Sequence, residues 1–475
     1  MSTTTNESAR QRVESLLDDN SFVEIGNLIT SRNTDFNLSS KDTPADGVIT
    51  GYGVIGGNLV YVYSQDASVL NGSIGEMHSK KIVNLYNMAM KMGAPVIGII
   101  DSAGFRLEEA TDALNAFGEI YTIQSKASGV IPQICAVFGK CGGGLAVLTE
   151  LADFTFMDVD GKLFVNSPNV IAGNYTEKCD TASAKFQSEE TGNADVVADE
   201  DTLFEKIRDL VNTLPLNNED TALYDECSDD LNRICDTIKD CSGDTAYALR
   251  EISDSGYFFE TKAAYAKEVV TGFIKLNGLT VGAVANRTEL FDEDMKVSET
   301  FDTVLTAEGC EKAAGFVKFC DAFSIPVLTL TNVTGFGTSM SDEKRLAKAV
   351  ASLTYAFASS TVPKVNVVIG KAYGTAYNAM NSKGTGCDFV YAWEGAEIGM
   401  MDATLAAKVM YGDSSDISKA AEEYRALQLD SLSAARRGYV DNIIAPADTR
   451  KYVIGAFEML YTKREELPLK KHGTV

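Results

Sequence analysis

Short apolar runs punctuated by glycine and proline, not one long repeat, set the pattern of this chain. Residues 130–138 (VIPQICAVF) are apolar almost throughout and closed off by turn residues, as in a strand buried on both faces of a parallel sheet. They run into GKCGGGLAV (139–147), and 145–151 continues without a turn residue as a helix. Glycines 142–144 therefore predict a strand-to-helix corner whose bare backbone admits a close neighbour, and either a ligand or tight packing answers to that description. Upstream, 48–66 alternates apolar and polar positions about Gly56 and Gly57, predicting a β-hairpin; 75–92 predicts a helix, and 95–100 a buried strand ending in DSAGFR (101–106). Downstream, 150–165 predicts a further strand, and helical patterns cover 201–214, 342–359 and 418–437.

The corner occurs twice. Pro95 and Pro326, Gly104 and Gly335, Phe105 and Phe336, Pro132 and Pro363, Gly139 and Gly370, Lys140 and Lys371, and Gly143 and Gly374 are pairs 231 positions apart. With small insertions VITGYGVIGGNLV (48–60) answers VVTGFIKLNGLTV (269–281), and the FVE of 22–24 answers the FFE of 258–260. Two long α/β units related by internal duplication are implied, residues 1–244 and 245–475, with the acidic, apolar-poor stretch 215–244 as a linker closing the first.

At 475 residues and 45% apolar, each unit can bury a sizeable core. A net charge of −25 argues against a nucleic-acid partner. The N-terminal residues lack a secretion-signal pattern, and no apolar run nears the roughly 18 residues of a membrane span, so a cytoplasmic protein is expected. Nine cysteines without a CxxC pair and two histidines, His78 and His472, offer no metal-ligand spacing, and no metal is expected. Residues 51–56 spell GxGxxG, but strand pattern follows where a dinucleotide site requires a helix. Residues 89–92 (AMKM) form the tetrapeptide at which carriers take biotin; here it ends a helix leading into a core strand, so Lys91 is expected buried and unmodified.

Each unit sets a strand before a glycine loop (Ala103, Gly104, Phe105; Thr334, Gly335, Phe336) and a second strand before a glycine-led helix (Gly143, Gly144; Gly374, Thr375). Two backbone N–H groups from such elements, converging on one point at a helix N-terminus, make an oxyanion hole that needs no side chain, which suits a chain nearly free of histidine. Two holes suggest two carbonyl-bearing substrates, while a duplicated fold whose glycines only pack is the bland reading.

The same residues carry a resemblance. The sequence resembles the carboxyltransferase subunit of biotin-dependent acyl-CoA carboxylases and of the related sodium-pumping acyl-CoA decarboxylases. It does so over nearly its whole length, through SFVEI (21–25), NGSIGEMHSKKI (71–82), GAPVIGIIDSAG (93–104), FFETKAAYAKEVVTGF (258–273), VPKVNVVIGKAYGTAY (362–377), AMNSKGTGCDFVYAW (379–393) and RRGYVDNIIAPADTR (436–450). It implies two tandem crotonase-like domains of the ClpP/crotonase superfamily. It also implies transfer of a carboxyl group between carboxybiotin, borne by a separate biotin carboxyl carrier protein, and the α-carbon of an acyl-CoA.

In that reading Gly104, Phe105, Gly143 and Gly144 hold a thioester oxygen as an enolate, and Gly335, Phe336, Gly374 and Thr375 hold the ureido oxygen of biotin. Ala103, Arg106, Cys141, Gly142 and Asn378 are the implied substrate-binding residues. A biotin carboxylase or a sodium-pumping membrane subunit is an implied partner, and a homo-oligomer, dimer or hexamer, is implied with active sites between subunits. The sequence departs from the family at Ala103 and Phe105, where DSGGAR is usual, and at Thr334, Thr375 and 341–350. The small side chain of Asn378 leaves room in the acyl pocket and Phe105 narrows it, which favours methylmalonyl-CoA with propionyl-CoA over glutaconyl-CoA. A crotonase-type acyl-CoA hydratase or hydrolase, with Glu108 and Glu109 as its carboxylates, and a non-catalytic assembly subunit are the alternatives.

Overall fold

The computed structural model describes residues 8–33, 41–220, 224–412 and 416–468. The chain divides into two units, Met1–Ala222 and Leu223–Val475.

In unit 1 the strands are β1 (Val23–Glu24), β2 (Val48–Ile55), β3 (Asn58–Gln65), β4 (Val96–Ser102), β5 (Gln133–Gly142), β6 (Phe154–Asp158), β7 (Lys162–Phe164) and β8 (Val196–Ala198). The helices are α1 (Ala9–Leu16), α2 (Glu76–Met92), α3 (Ala110–Ala127), α4 (Gly144–Glu150), α5 (Ala184–Glu189) and α6 (Glu200–Thr213). One sheet runs β1-β2-β3-β4-β5-β6-β8, with β7 beside β5; pairs are antiparallel up to β3 and parallel beyond it. The predicted hairpin turns at Gly56 (φ 57°) and Gly57 (φ 89°), the left-handed pair that a tight two-residue hairpin demands. Ile82, Leu85, Tyr86 and Ala89 of α2 and Ala116, Phe117, Ile120 and Ile123 of α3 recur at helical spacing and bury against Val96, Ile100, Cys135 and Val137.

In unit 2 the helices are α7 (Ile238–Cys241), α8 (Thr245–Ile252), α9 (Ala307–Ala322), α10 (Met340–Ser359), α11 (Gly374–Ala379), α12 (Ala403–Tyr411), α13 (Ile417–Tyr424), α14 (Ser431–Arg436) and α15 (Thr449–Leu460). The strands are β9 (Phe258–Thr261), β10 (Val269–Leu276), β11 (Leu279–Asn286), β12 (Glu289–Phe291), β13 (Val297–Thr300), β14 (Val304–Leu305), β15 (Val327–Val333), β16 (Gly335–Phe336), β17 (Lys364–Tyr373), β18 (Phe389–Trp393), β19 (Glu397–Gly399) and β20 (Asn442–Ile444). The main sheet, β9-β10-β11-β15-β17-β18-β20 with β19 beside β17, repeats the first strand for strand.

Four expectations change. The stretch 215–244 is no linker as a whole: the division falls after Ala222 rather than Asp244, and Cys235, Ile238 and Cys241 share a core with Leu249, Ile252, Val453 and Phe457. Their spacing of three suits one short buried face. Strand β5 runs on to Gly142, because pairing with β7 extends it, so the corner narrows to Gly143 and Gly144. The helix expected at 418–437 is broken into α13, a π-helical segment Arg425–Leu429, and α14, with Asp430 capping the last through Leu432 N–H at 2.9 Å. Lys91 is exposed, since the last turn of α2 projects into solvent, with Met92 beside it 62% exposed. His472 lies outside the described residues. No helix among the described residues is long and apolar enough to cross a membrane.

Candidate active site

In unit 1, Ser102 lies opposite Cys141, so loop 103–105 and Gly143 leave neighbouring strand ends, and a Cβ on Gly104 would sit 3.9 Å from the Gly142 carbonyl oxygen. Gly104 (φ 95°) and Gly143 (φ 62°) both need the left-handed freedom of glycine. Three of the corner's donors are already used: Ala103 N–H donates to Asn71 O at 2.9 Å, Gly104 N–H to Ser102 Oγ at 3.1 Å, and Gly143 N–H to Phe164 O at 2.8 Å. The N–H groups of Phe105 and Gly144 have no partner among the described residues.

Both of those residues rest on α3. The Phe105 ring, 41% exposed, packs on Phe117 with centroids 4.2 Å apart, while the Tyr121 hydroxyl donates to Gly144 O at 2.6 Å. Two free donors from adjacent strand ends over an aromatic floor are the parts of an oxyanion hole. Because α4 has only seven residues, the N–H groups themselves, more than a long macrodipole, supply the positive potential.

Arg106 is not a substrate contact but the anchor of this loop. Its side chain is fully buried, Nη1 donating to Asp46 Oδ1 at 2.5 Å and to Glu109 Oε1 at 2.9 Å, and Nη2 to Ser73 O at 2.6 Å. Glu109 in turn accepts from Glu76 N–H at 2.6 Å at the start of α2. Burial raises the Asp46 carboxyl in spite of the opposing pull of Arg106. His78 donates its N–H to Asp46 Oδ2 at 2.8 Å, and burial with the nearby guanidinium drives its imidazole down to about 3. With Glu109 locked there and Glu108 paired at the surface with Lys41 at 3.1 Å, neither serves as one of a hydratase's two carboxylates. Cys141 is wholly buried, its thiol raised well above the usual range by burial, and Gly142 lies under the Phe164 ring, so these two do not face a ligand with side chains.

The second corner repeats the backbone. Val333 lies opposite Ala372, Thr334 N–H donates to Thr303 O at 2.7 Å, and Gly337 N–H to Leu305 O at 2.8 Å, matching the Ala103 bond and the Arg106 N–H bond to Ile74 O at 3.0 Å in unit 1. Gly374 is again left-handed (φ 60°), with Met400 O 3.2 Å from where its Cβ would stand; Gly335 has nothing within 4 Å and Phe336 is half-buried. Thr375 and Asn378 are exposed, Asn378 Oδ1 accepting from Ser382 Oγ at 3.3 Å. The two aromatics of the floor are not repeated: Lys348 and Ser352 of α10 stand 231 positions after Phe117 and Tyr121.

Sequence reasoning missed a buried lysine in each unit, although the offset that relates the corners also relates Lys81 to Lys312. Lys81 Nζ donates to Ala45 O at 2.8 Å and to Val48 O, and Lys312 Nζ to Lys262 O and Tyr265 O at 2.8 Å. Each pins the segment ahead of its hairpin, and burial lowers the ammonium groups to about 8 and about 7.

A family model described as the carboxyl transferase domain matches residues 3–475. The chain is 39% identical to the propionyl-CoA carboxylase beta chain of Roseobacter denitrificans, over 98% of this chain and 93% of that protein. It is 37% identical to the methylmalonyl-CoA decarboxylase subunit alpha of Propionigenium modestum, over 98% and 92%. The crystal structure of transcarboxylase 12S, a hexamer with hydrolysed methylmalonyl-CoA bound, is similar with a TM-score of 0.93 at 36% identity, covering 98% of this chain and 92% of that one. With its two like-ordered sheets and paired glycine corners, the chain belongs to the carboxyl transferase family and is a biotin-dependent carboxyltransferase of two tandem crotonase-like domains.

Proposed function

We propose that this chain moves a carboxyl group between N-carboxybiotin on a separate carrier protein and the α-carbon of a short acyl-CoA, propionyl-CoA with methylmalonyl-CoA in preference to glutaconyl-CoA. The observation that carries the reading is the pair of unpartnered N–H groups of Phe105 and Gly144 over the Phe117 floor. A thioester oxygen that gains charge as an enolate would accept both bonds, which are worth more to the enolate than to the neutral ester. The corner at Gly335, Phe336, Gly374 and Thr375 would hold the ureido oxygen of biotin, and the open space at Gly335 accommodates it. As the bond from the carboxyl carbon to the biotin nitrogen breaks, the bond to the α-carbon forms, and the α-proton passes to that nitrogen. A biotin carboxylase would drive this transfer one way and a sodium-pumping membrane subunit the other.

The relatives named for propionyl-CoA and methylmalonyl-CoA support the substrate, and the hexameric transcarboxylase supports a homo-oligomer, whose active sites we assign to subunit interfaces. Label transfer from carboxyl-labelled malonyl-, methylmalonyl- and glutaconyl-CoA to a biotin carrier tests the proposal. Methylmalonyl-CoA is expected to show the highest kcat/KM; a preference for glutaconyl-CoA overturns the substrate, and no transfer from any ester overturns the activity. Full activity from a monomer at high dilution overturns the interfacial site.

A further inference from the structure

Strands β17 and β19 place Tyr373 opposite Gly399, where unit 1 places Gly142 opposite Phe164. Large and small have traded sides, and the aromatic of unit 2 sits in the chain position that directly precedes left-handed Gly374. Unlike Phe164, it carries a hydroxyl. That hydroxyl donates to Glu397 Oε2, and Glu397 Oε1 forms an ion pair with Arg425 Nε at 3.1 Å. Arg425 opens the π-helical segment 425–429, a rarely adopted winding that is concentrated at functional places. The segment closes on the same strand at both ends: Glu397 bridges Asp430, and Leu429, wholly buried, lies over Gly399 and joins Tyr373, Ala403 and Ala407 in one small core. The Tyr373 phenol is raised by burial and by the Glu397 carboxylate, which keeps it a donor.

We propose that Tyr373, Glu397 and Arg425 form a clamp that sets the second glycine corner, making Tyr373 a positioning residue for whatever Gly374 and Thr375 hold. The ring alone fixes one end of the corner by packing. The bond to Glu397 fixes the rotation of that ring, and through the shared backbone the direction of the Gly374 and Thr375 N–H groups. Unit 1 has no such device, because Gly142 offers nothing to hold. The inference rests on the reading above that biotin occupies this corner.

The test uses the full chain, with free biotin and methylmalonyl-CoA as the varied substrates. Tyr373→Phe keeps the ring and loses the bond, and should raise KM for biotin about tenfold, leave KM for methylmalonyl-CoA unchanged and leave Tm unaltered. Glu397→Gln still offers the phenol an acceptor and should raise KM for biotin about threefold at most. A Tyr373→Phe enzyme with both KM values unchanged overturns the clamp and leaves the biotin assignment standing. One in which only KM for methylmalonyl-CoA rises supports the clamp and overturns the assignment. Equal rises in both, with a lowered Tm, show a general structural role and overturn the clamp.

Discussion

The two units share a strand order and a backbone hydrogen-bond pattern at their corners, yet they support those corners with different chemistry. In unit 1, Asp101 at the end of β4 accepts from Lys140 N–H at 3.3 Å and faces Arg12 at 3.6 Å; in unit 2, Asn332 takes that place and accepts from Lys371 N–H at 2.9 Å. An amide needs no counter-ion. Arg106 has become Gly337, and the carboxylate that caps α2, Glu109, is replaced at α9 by Asp342, which accepts from Ala307 N–H at 2.9 Å. The backbone of a glycine corner is therefore set by topology, while the groups that stiffen it are free to diverge. Differences between the two corners must come from those groups.

The comparison breaks most visibly at Arg106. Arg106→Met leaves Asp46 and Glu109 buried without their partner and should cost about 3–5 kcal/mol, measured by chemical denaturation and by faster amide exchange in β4 and β5. Asp342→Asn, in the half-exposed counterpart, should cost only about 1 kcal/mol.

A second contrast is a matter of pH. The enclosed carboxyl of Asp153 accepts from Gln133 N–H at 2.8 Å, has no cation among the described residues, and is pushed up to about 7 by burial. Its counterpart Asp388 accepts from Lys364 N–H and also from Lys463 Nζ, both at 2.8 Å. Folded unit 1 thus holds a proton that the unfolded chain releases near pH 3.8, so this group's contribution to stability falls as pH rises from about 4 to 7, by a few kcal/mol. His78 runs the other way: lowered to about 3 in the fold, it takes up a proton only on unfolding, so stability falls as pH drops below 6.5. The two oppose each other in the native chain. Asp153→Asn should expose the histidine limb, giving denaturation midpoints that decline steadily from pH 6.5 towards 4.5.

Phe105→Ala, which opens the aromatic floor whose Phe117 and Tyr121 unit 2 does not repeat, should change the kcat/KM ranking of malonyl-, methylmalonyl- and glutaconyl-CoA by about tenfold. An unaltered ranking would remove the pocket argument and leave the family untouched. The smallest effects distinguish strain from space. Gly143→Ala, left-handed though uncrowded, should cost about 1–2 kcal/mol, and Gly335→Ala, uncrowded and free of a positive φ, about 0.5 kcal/mol or less by thermal unfolding.

What the sequence disclosed was local or repeated. Gly56-Gly57 named its own hairpin, the helical spacing of 76–92 named α2, and seven identities at one offset disclosed the duplication from residue positions alone. What it concealed depended on distant partners. That Gly142 is strand follows from residues 162–164, and that Arg106 faces inward follows from Asp46, sixty positions away. A charged residue after a glycine loop reads as ligand-facing until its buried counter-charge is seen. Lys91 erred the opposite way: a helix end leading into a core strand suggested burial, but among the described residues that turn is exposed.

The caged lysines give each unit a reporter of its own. A buried ammonium held by main-chain oxygens is closed to amine-modifying reagents while the fold is shut. Under brief acylation, surface lysines such as Lys91 will be tagged first, and Lys81 and Lys312 only when their own carbonyl cages open. Peptide mapping of those two positions against time will therefore tell which half of the molecule breathes first, with no label built into the chain.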